Sequence, residues 1–172
     1  MANSTNTKDA INDILGIQDG DKIAALRAQK PILADQLQAY YESIFEPDVV
    51  SAAELSPADR CVVAVRVASH TRSSAVAGWY AQLARQRGVD ERIIDRAHDI
   101  KTPWNGNDKL AAAIRHADLL TMAPSSARQL DLQALKSFGF TPAGIVSLSQ
   151  VIAFVSYQLR LIAGLRAFGD AS

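Results

Sequence analysis

Apolar residues recur along this chain at intervals of three and four, the spacing of an amphipathic helix, and nowhere alternate as strands do. Ile11, Ile14 and Leu15 predict a short helix over 9–15, and Ile23 and Leu26 predict another that stops at Pro31. Leu33, Leu37, Tyr40, Tyr41 and Ile44 carry a stronger helix from Pro31 to about Phe45, with Pro47 just past its end. Ser56-Pro57 then opens a helix in the usual way, a serine to cap and a proline in the first turn. Val62, Val65 and Val67 make that helix apolar on most sides, which predicts deep burial. The polar run from His70 to Ser74 interrupts it. A second helix follows to Arg87, closed by Gly88 as a left-handed residue.

Downstream, Asp90 caps a short helix through His98, and 101–107, with Pro103 and Gly106, reads as a loop. A helix starting at Asn107 or Asp108 carries Leu110, Ile114, Ala117 and Leu120 on one stripe and ends at Pro124. A shorter one spans Leu130 to Phe138 before Gly139, and Thr141-Pro142 opens a long last helix to about Phe168. The fold class expected is all-α, a bundle of about seven or eight helices. Residues 1–8 read as a flexible tail and 9–172 as a single helical domain.

Composition narrows the function classes. A chain of 172 residues suits one domain with a well-formed core. Lys plus Arg and Asp plus Glu balance at 18 each, so no global field draws in a nucleic acid or an anionic membrane. The opening MANSTNTKDA is not a secretory signal, and Cys61, the single cysteine, gives no disulfide framework. Both point to the cytoplasm. The apolar stretch Ile145–Leu165 is broken by Ser147, Ser149, Gln150, Ser156, Gln158 and Arg160, and reads as a buried helix rather than a membrane span.

Residues 55–88 then carry a resemblance. Leu55-Ser56, Arg60, Ala64 to Val67, Leu83-Ala84-Arg85 and Gly88 resemble the core of the alkylhydroperoxidase D (AhpD) and carboxymuconolactone decarboxylase family, in its peroxidase-related branch. A second block, Ile152-Ala153-Phe154, then Gln158, Arg160, Ala163, Gly164 and Leu165, is similar to the family's closing helix. The resemblance implies an AhpD-like helical bundle, a role in antioxidant defence, and homo-oligomers such as trimers or hexamers. It also implies a Cys-x-x-Cys-x-x-x-His centre, which this chain lacks. On that frame the first cysteine falls on Ser73, the second on Val76, the histidine on Tyr80 and an upstream glutamate on Cys61. The redox site is therefore expected to be degenerate.

Thiol peroxidase chemistry needs an attacking thiolate, a second thiol to resolve the product and a base. Serine, valine and tyrosine supply none of these near neutral pH. The expectation is a small-molecule-binding or accessory subunit without peroxidase turnover. The alternative is an enzyme, peroxidase-related or of decarboxylase or hydrolase type, using altered residues around Cys61, His70, Ser73 and Tyr80, with Val76 a fifth candidate pocket position. Each of the five also has a plain structural role open to it. Cys61 can be a buried small hydrophobe, His70 a surface residue at a helix end, Ser73 a cap, Val76 core, and Tyr80 a hydroxyl at a polar edge. On one straight rod Cys61 and Ser73 would lie about 18 Å apart. A shared pocket therefore requires a bend between 69 and 74. Gln150, Gln158 and Arg160 are candidates for buried polar contacts in the last helix. His98 beside Asp95 and Asp99, and His116 beside Asp118, lack the spacing of metal ligands. No cofactor, metal, nucleic-acid partner or membrane is expected.

Overall fold

The structure, a computed structural model, describes residues 9–18, 20–47 and 55–170. The expected tail over 1–8 lies outside the described residues. Two short helices, α1 (Ala10–Leu15) and α2 (Lys22–Ala28), precede α3 (Pro31–Phe45). Then come α4 (Pro57–His70), α5 (Ser74–Gln86), α6 (Glu91–His98), α7 (Lys109–Met122), α8 (Gln129–Ser137) and α9 (Pro142–Asp170). A single 3-10 turn, Pro124–Ser126, lies between α7 and α8, and no strand occurs among the described residues. The all-α expectation holds. Nine α-helices occur among the described residues, against the seven or eight expected.

Caps fall where the sequence placed them. The Ser56 hydroxyl accepts from the Asp59 amide, Asp90 from Arg92, and Asp108 from Ala111. Each satisfies a backbone donor that the first turn leaves unpaired. Gly88 and Gly139 sit at φ +80° and +84°, the left-handed region that ends α5 and α8.

The middle of the bundle is α4, which packs against α3, α5, α6, α7 and α9. Every residue from Arg60 to Ala68 on it is buried. Two arginines in this run need partners at depth. Arg60 donates to the Leu55 and Ile44 carbonyls and so fastens the segment that leads into α4. Arg66 grips the Asp118 carboxylate with two nitrogens, at 2.7 and 3.0 Å, and also donates to the Asp99 carbonyl.

By length and apolarity the segment Pro142–Gly169 could cross a membrane, with mean hydropathy 1.5, but half of it is buried inside the protein. It lies against α1, α2, α3, α4, α7 and α8. Of its three polar candidates only Gln158 is buried; Gln150 and Arg160 are exposed. The even apolar background along α9 hid which face is covered. An aromatic cluster from three helices, Tyr41, Phe45, Trp79, Tyr80 and Phe154, fills the space between α3, α5 and α9, with Phe45 and Tyr80 centroids 4.9 Å apart.

Candidate functional site

The bend required between residues 69 and 74 is present. The helix α4 ends at His70 with Thr71 as its cap, and the chain reverses through Arg72 at φ +58°. The Arg72 amide bonds the Ser69 carbonyl, and the Ser73 amide bonds that of Ala68. This pairing is the Schellman closure, in which glycine usually occupies the left-handed position that arginine takes here. The outcome is an antiparallel hairpin of α4 and α5.

That hairpin divides the five candidate residues into two groups. Chain reversal at 71–73 sets a residue eleven positions before the turn against one about eleven positions after it. Cys61 therefore faces the far end of α5 and not Ser73. Along α4, nine residues separate Cys61 from His70, about 13 Å of helix. The bend was necessary for a common pocket of Cys61 and Ser73, but it is not sufficient.

At the Cys61 end the site is a polar island whose Arg87 and Glu46 side chains reach solvent. Cys61 is wholly buried, as are Tyr80, midway along α5, and Val76, nearer the turn. Arg87, at the end of α5, donates to the Cys61 sulfur at 2.7 Å and to the Pro57 carbonyl at 3.3 Å, and lies 3.9 Å from Glu46. Burial pushes the Cys61 thiol up from near 9 to about 11, against the opposing pull of Arg87. Burial first, then the Glu46 charge, holds the Tyr41 phenol above its ordinary range, and the Tyr41 hydroxyl makes no well-aligned hydrogen bond. Tyr80 is also raised well above its ordinary range, mainly by its complete burial. Its hydroxyl donates to Gln158 Oε1, whose amide nitrogen has no partner among the described residues. Tyr80 thus does not sit at a polar edge. A thiol and two phenols, all held protonated at neutral pH, supply neither a nucleophile nor a base there.

At the turn end, His70 is not a surface helix-end residue. Its Nε2 lies 2.6 Å from Asp118 Oδ1, the oxygen that Arg66 Nε also holds. Ser73 precedes the first turn of α5, but its hydroxyl forms no capping bond. It lines an open cleft with Arg72, Thr121, Ser156 and Arg160 that none of Cys61, Val76 and Tyr80 reaches. The two other histidines sit apart. His98 Nδ1 meets the Ser69 hydroxyl at 3.2 Å, while His116 is buried in a pocket of about 190 Å³ beside Asp131, where burial lowers its pKa. No three His, Cys, Asp or Glu side chains gather among the described residues.

Sequence reasoning missed Arg87 and Tyr41 as neighbours of Cys61, and Asp118 as the partner of His70. One signal was available for the last. Arg66 and His70 stand four apart on a helix that is apolar on most sides, and a guanidinium set in such a face demands an acid opposite it.

No protein-family model matches the chain, and a search of curated proteins returns no match. Solved structures do match. The crystal structure of an uncharacterized peroxidase-related protein from Silicibacter sp. TM1040 superposes with a TM-score of 0.69 at 18% identity, over 77% of this chain and 68% of that one. An alkylhydroperoxidase AhpD core, an uncharacterized peroxidase-related protein from Ralstonia eutropha JMP134, gives 0.70 at 15% identity, over 81% and 71%. The fold is alkylhydroperoxidase D-like. Within this AhpD-like scaffold the hairpin of α4 and α5 holds all five candidate residues, and the closing helix α9 supplies Gln158 to it.

Proposed function

We propose that this chain is a degenerate member of the alkylhydroperoxidase D and carboxymuconolactone decarboxylase family, in its peroxidase-related branch. It serves as a small-molecule-binding or accessory subunit in antioxidant defence, without thiol peroxidase activity, and assembles with copies of itself or with an intact relative. The observation that carries this reading is the state of Cys61. It is the single thiol of the chain, fully buried, and pushed up to about 11. A peroxidatic sulfur must reach peroxide as thiolate and then be resolved by a second thiol. Cys61 is placed for neither step.

The test is peroxide consumption with cumene hydroperoxide and dithiothreitol. The wild-type rate should match that of Cys61→Ser. Saturable turnover that is lost in Cys61→Ser would overturn the reading and return the chain to the enzymes. A single centre built from Cys61, His70, Ser73 and Tyr80 has the hairpin geometry against it, since the turn pair and the core pair lie at opposite ends.

A further inference from the structure

The cleft at the turn end carries chemistry that the Cys61 island does not. Its volume is about 450 Å³, within the range of small-molecule sites. Arg72 comes from the turn after α4, and Arg160 and Arg166 from α9; hydroxyls of Thr71, Ser73, Thr121 and Ser156 stand among them. These three arginines face no carboxylate among the described residues, unlike five others of the chain. Arg27, Arg66, Arg85, Arg87 and Arg92 each face a carboxylate. The side chains of Arg72 and Arg166 make no hydrogen bond or ion pair among the described residues, and Arg160 reaches only the Ser156 carbonyl. The acid nearest along α7, Asp118, is already held by Arg66 and His70, so it does not neutralise the cleft.

Two further features point the same way. Thr121 lines the cleft with a buried hydroxyl oxygen that has no hydrogen-bond partner among the described residues. The 13-residue helix α5 begins at the cleft wall, and the Ser73 hydroxyl leaves its first-turn amides uncapped, so the positive end of the helix adds to the field. The floor is apolar, made by Leu159, Ile162 and Ala163. Arg160 and Arg166, six positions apart on α9, both line the cleft, as does Ala163 midway between them in the chain.

We propose that this cleft binds a small organic phosphate, with the phosphoryl group held by Arg72, Arg160 and Arg166 and the apolar part resting on Leu159 and Ile162. Planar guanidinium forks suit phosphoryl oxygens, and the hydroxyls of Ser73 and Thr121 can donate to the oxygens that remain, while that of Thr71 is already given to the Ala68 carbonyl. The inference deepens the small-molecule reading above and rests on it for the existence of a ligand. It is independent of whether Cys61 turns over peroxide, so the peroxide assay and the titration below fail separately.

The test is calorimetric titration of the full chain with inorganic phosphate, pyrophosphate, phenyl phosphate and citrate, at one chloride ionic strength. Phenyl phosphate should bind saturably and more tightly than inorganic phosphate, because the floor covers its ring. Arg160→Gln and Arg166→Gln should each weaken it about tenfold, the usual scale of one charge-assisted contact. Arg166→Lys should recover part of that loss, and Arg92→Gln, at a fully solvated arginine, should change nothing. Circular dichroism of the α9 variants separates lost binding from lost folding. Absence of saturation by any phosphate, equal loss in Arg92→Gln, or citrate binding more tightly than pyrophosphate would each overturn the assignment.

Discussion

Single side chains in the core of this protein are held by hydrogen bonds that few neighbours could replace. The Tyr80 hydroxyl satisfies Gln158 Oε1 while Gln158 Nε2 goes without a partner, so the pair is already incompletely satisfied. Tyr80→Phe would leave both ends of a buried amide unpaired and should cost about 1–3 kcal/mol. Adding Gln158→Leu removes the stranded polar group, and the double variant should unfold in urea closer to wild type than Tyr80→Phe alone. A double variant less stable than both singles would contradict this account. Cys61 gives a pH dependence of known sign. Folding raises its thiol from near 9 to about 11, so the folded chain holds that proton more tightly than the unfolded chain does. The contribution is complete below pH 9 and is lost as pH climbs through 9 to 11, about 2–3 kcal/mol in all. Tyr41 and Tyr80, both raised, extend the loss to higher pH. Guanidinium midpoints at about pH 8 and about pH 10.5 should therefore fall further apart for wild type than for Cys61→Ser, whose hydroxyl does not titrate in that window.

Between elements, the tie that counts most is Asp118 of α7 against Arg66 and His70 of α4. Asp118→Ala would strand the buried Arg66 guanidinium; because the carboxylate itself is partly exposed, the cost should be about 2–3 kcal/mol, at the low end for a broken buried pair. His70→Ala should cost less, since the two-point grip of Arg66 on Asp118 survives it. Thermal unfolding of the two variants ranks them directly. The hairpin turn makes the opposite prediction. Arg72 holds a left-handed position that glycine takes without strain, so Arg72→Gly should raise stability by about 0.5–1 kcal/mol. The helices themselves were legible in the sequence because their signals are local. Ser56, Asp90 and Asp108 cap within three residues, and Gly88 and Gly139 stop α5 and α8 where they stand. The site was not legible, because its contacts are remote. Arg87 reaches Cys61 across 26 residues, and Asp118 reaches His70 across 48, which periodicity along one helix does not encode. The pattern gave the polarity of α9 but not which of Gln150, Gln158 and Arg160 is inside.

At the scale of the whole molecule, an apolar groove left uncovered by the bundle lies between α3 and α9. Leu33, Leu37, Tyr40, Ala153, Phe154 and Tyr157 line one groove of about 430 Å³, and Leu33, Tyr40 and Tyr157 are exposed there. We propose that a second copy of this chain covers it, since contiguous apolar surface is a common site of protein contact and the resemblance implies trimers or hexamers. The position of the groove decides which substitution is informative. Leu159 is buried and Leu161 packs against the core, so a charge at either one tests folding rather than assembly. Tyr157 points outward from the same helix and tests assembly alone. Light scattering at micromolar concentration should give a mass above that of one 18.5 kDa chain. Tyr157→Asp, and more strongly Leu33→Asp with Tyr157→Asp, should shift that mass toward the monomer by placing unpaired charge in a buried interface. Far-ultraviolet circular dichroism should meanwhile stay at the wild-type helix content, because neither side chain contributes to the core. A wild-type chain that scatters as a monomer, or variants that keep the wild-type mass, would mean that this groove does not hold a second copy.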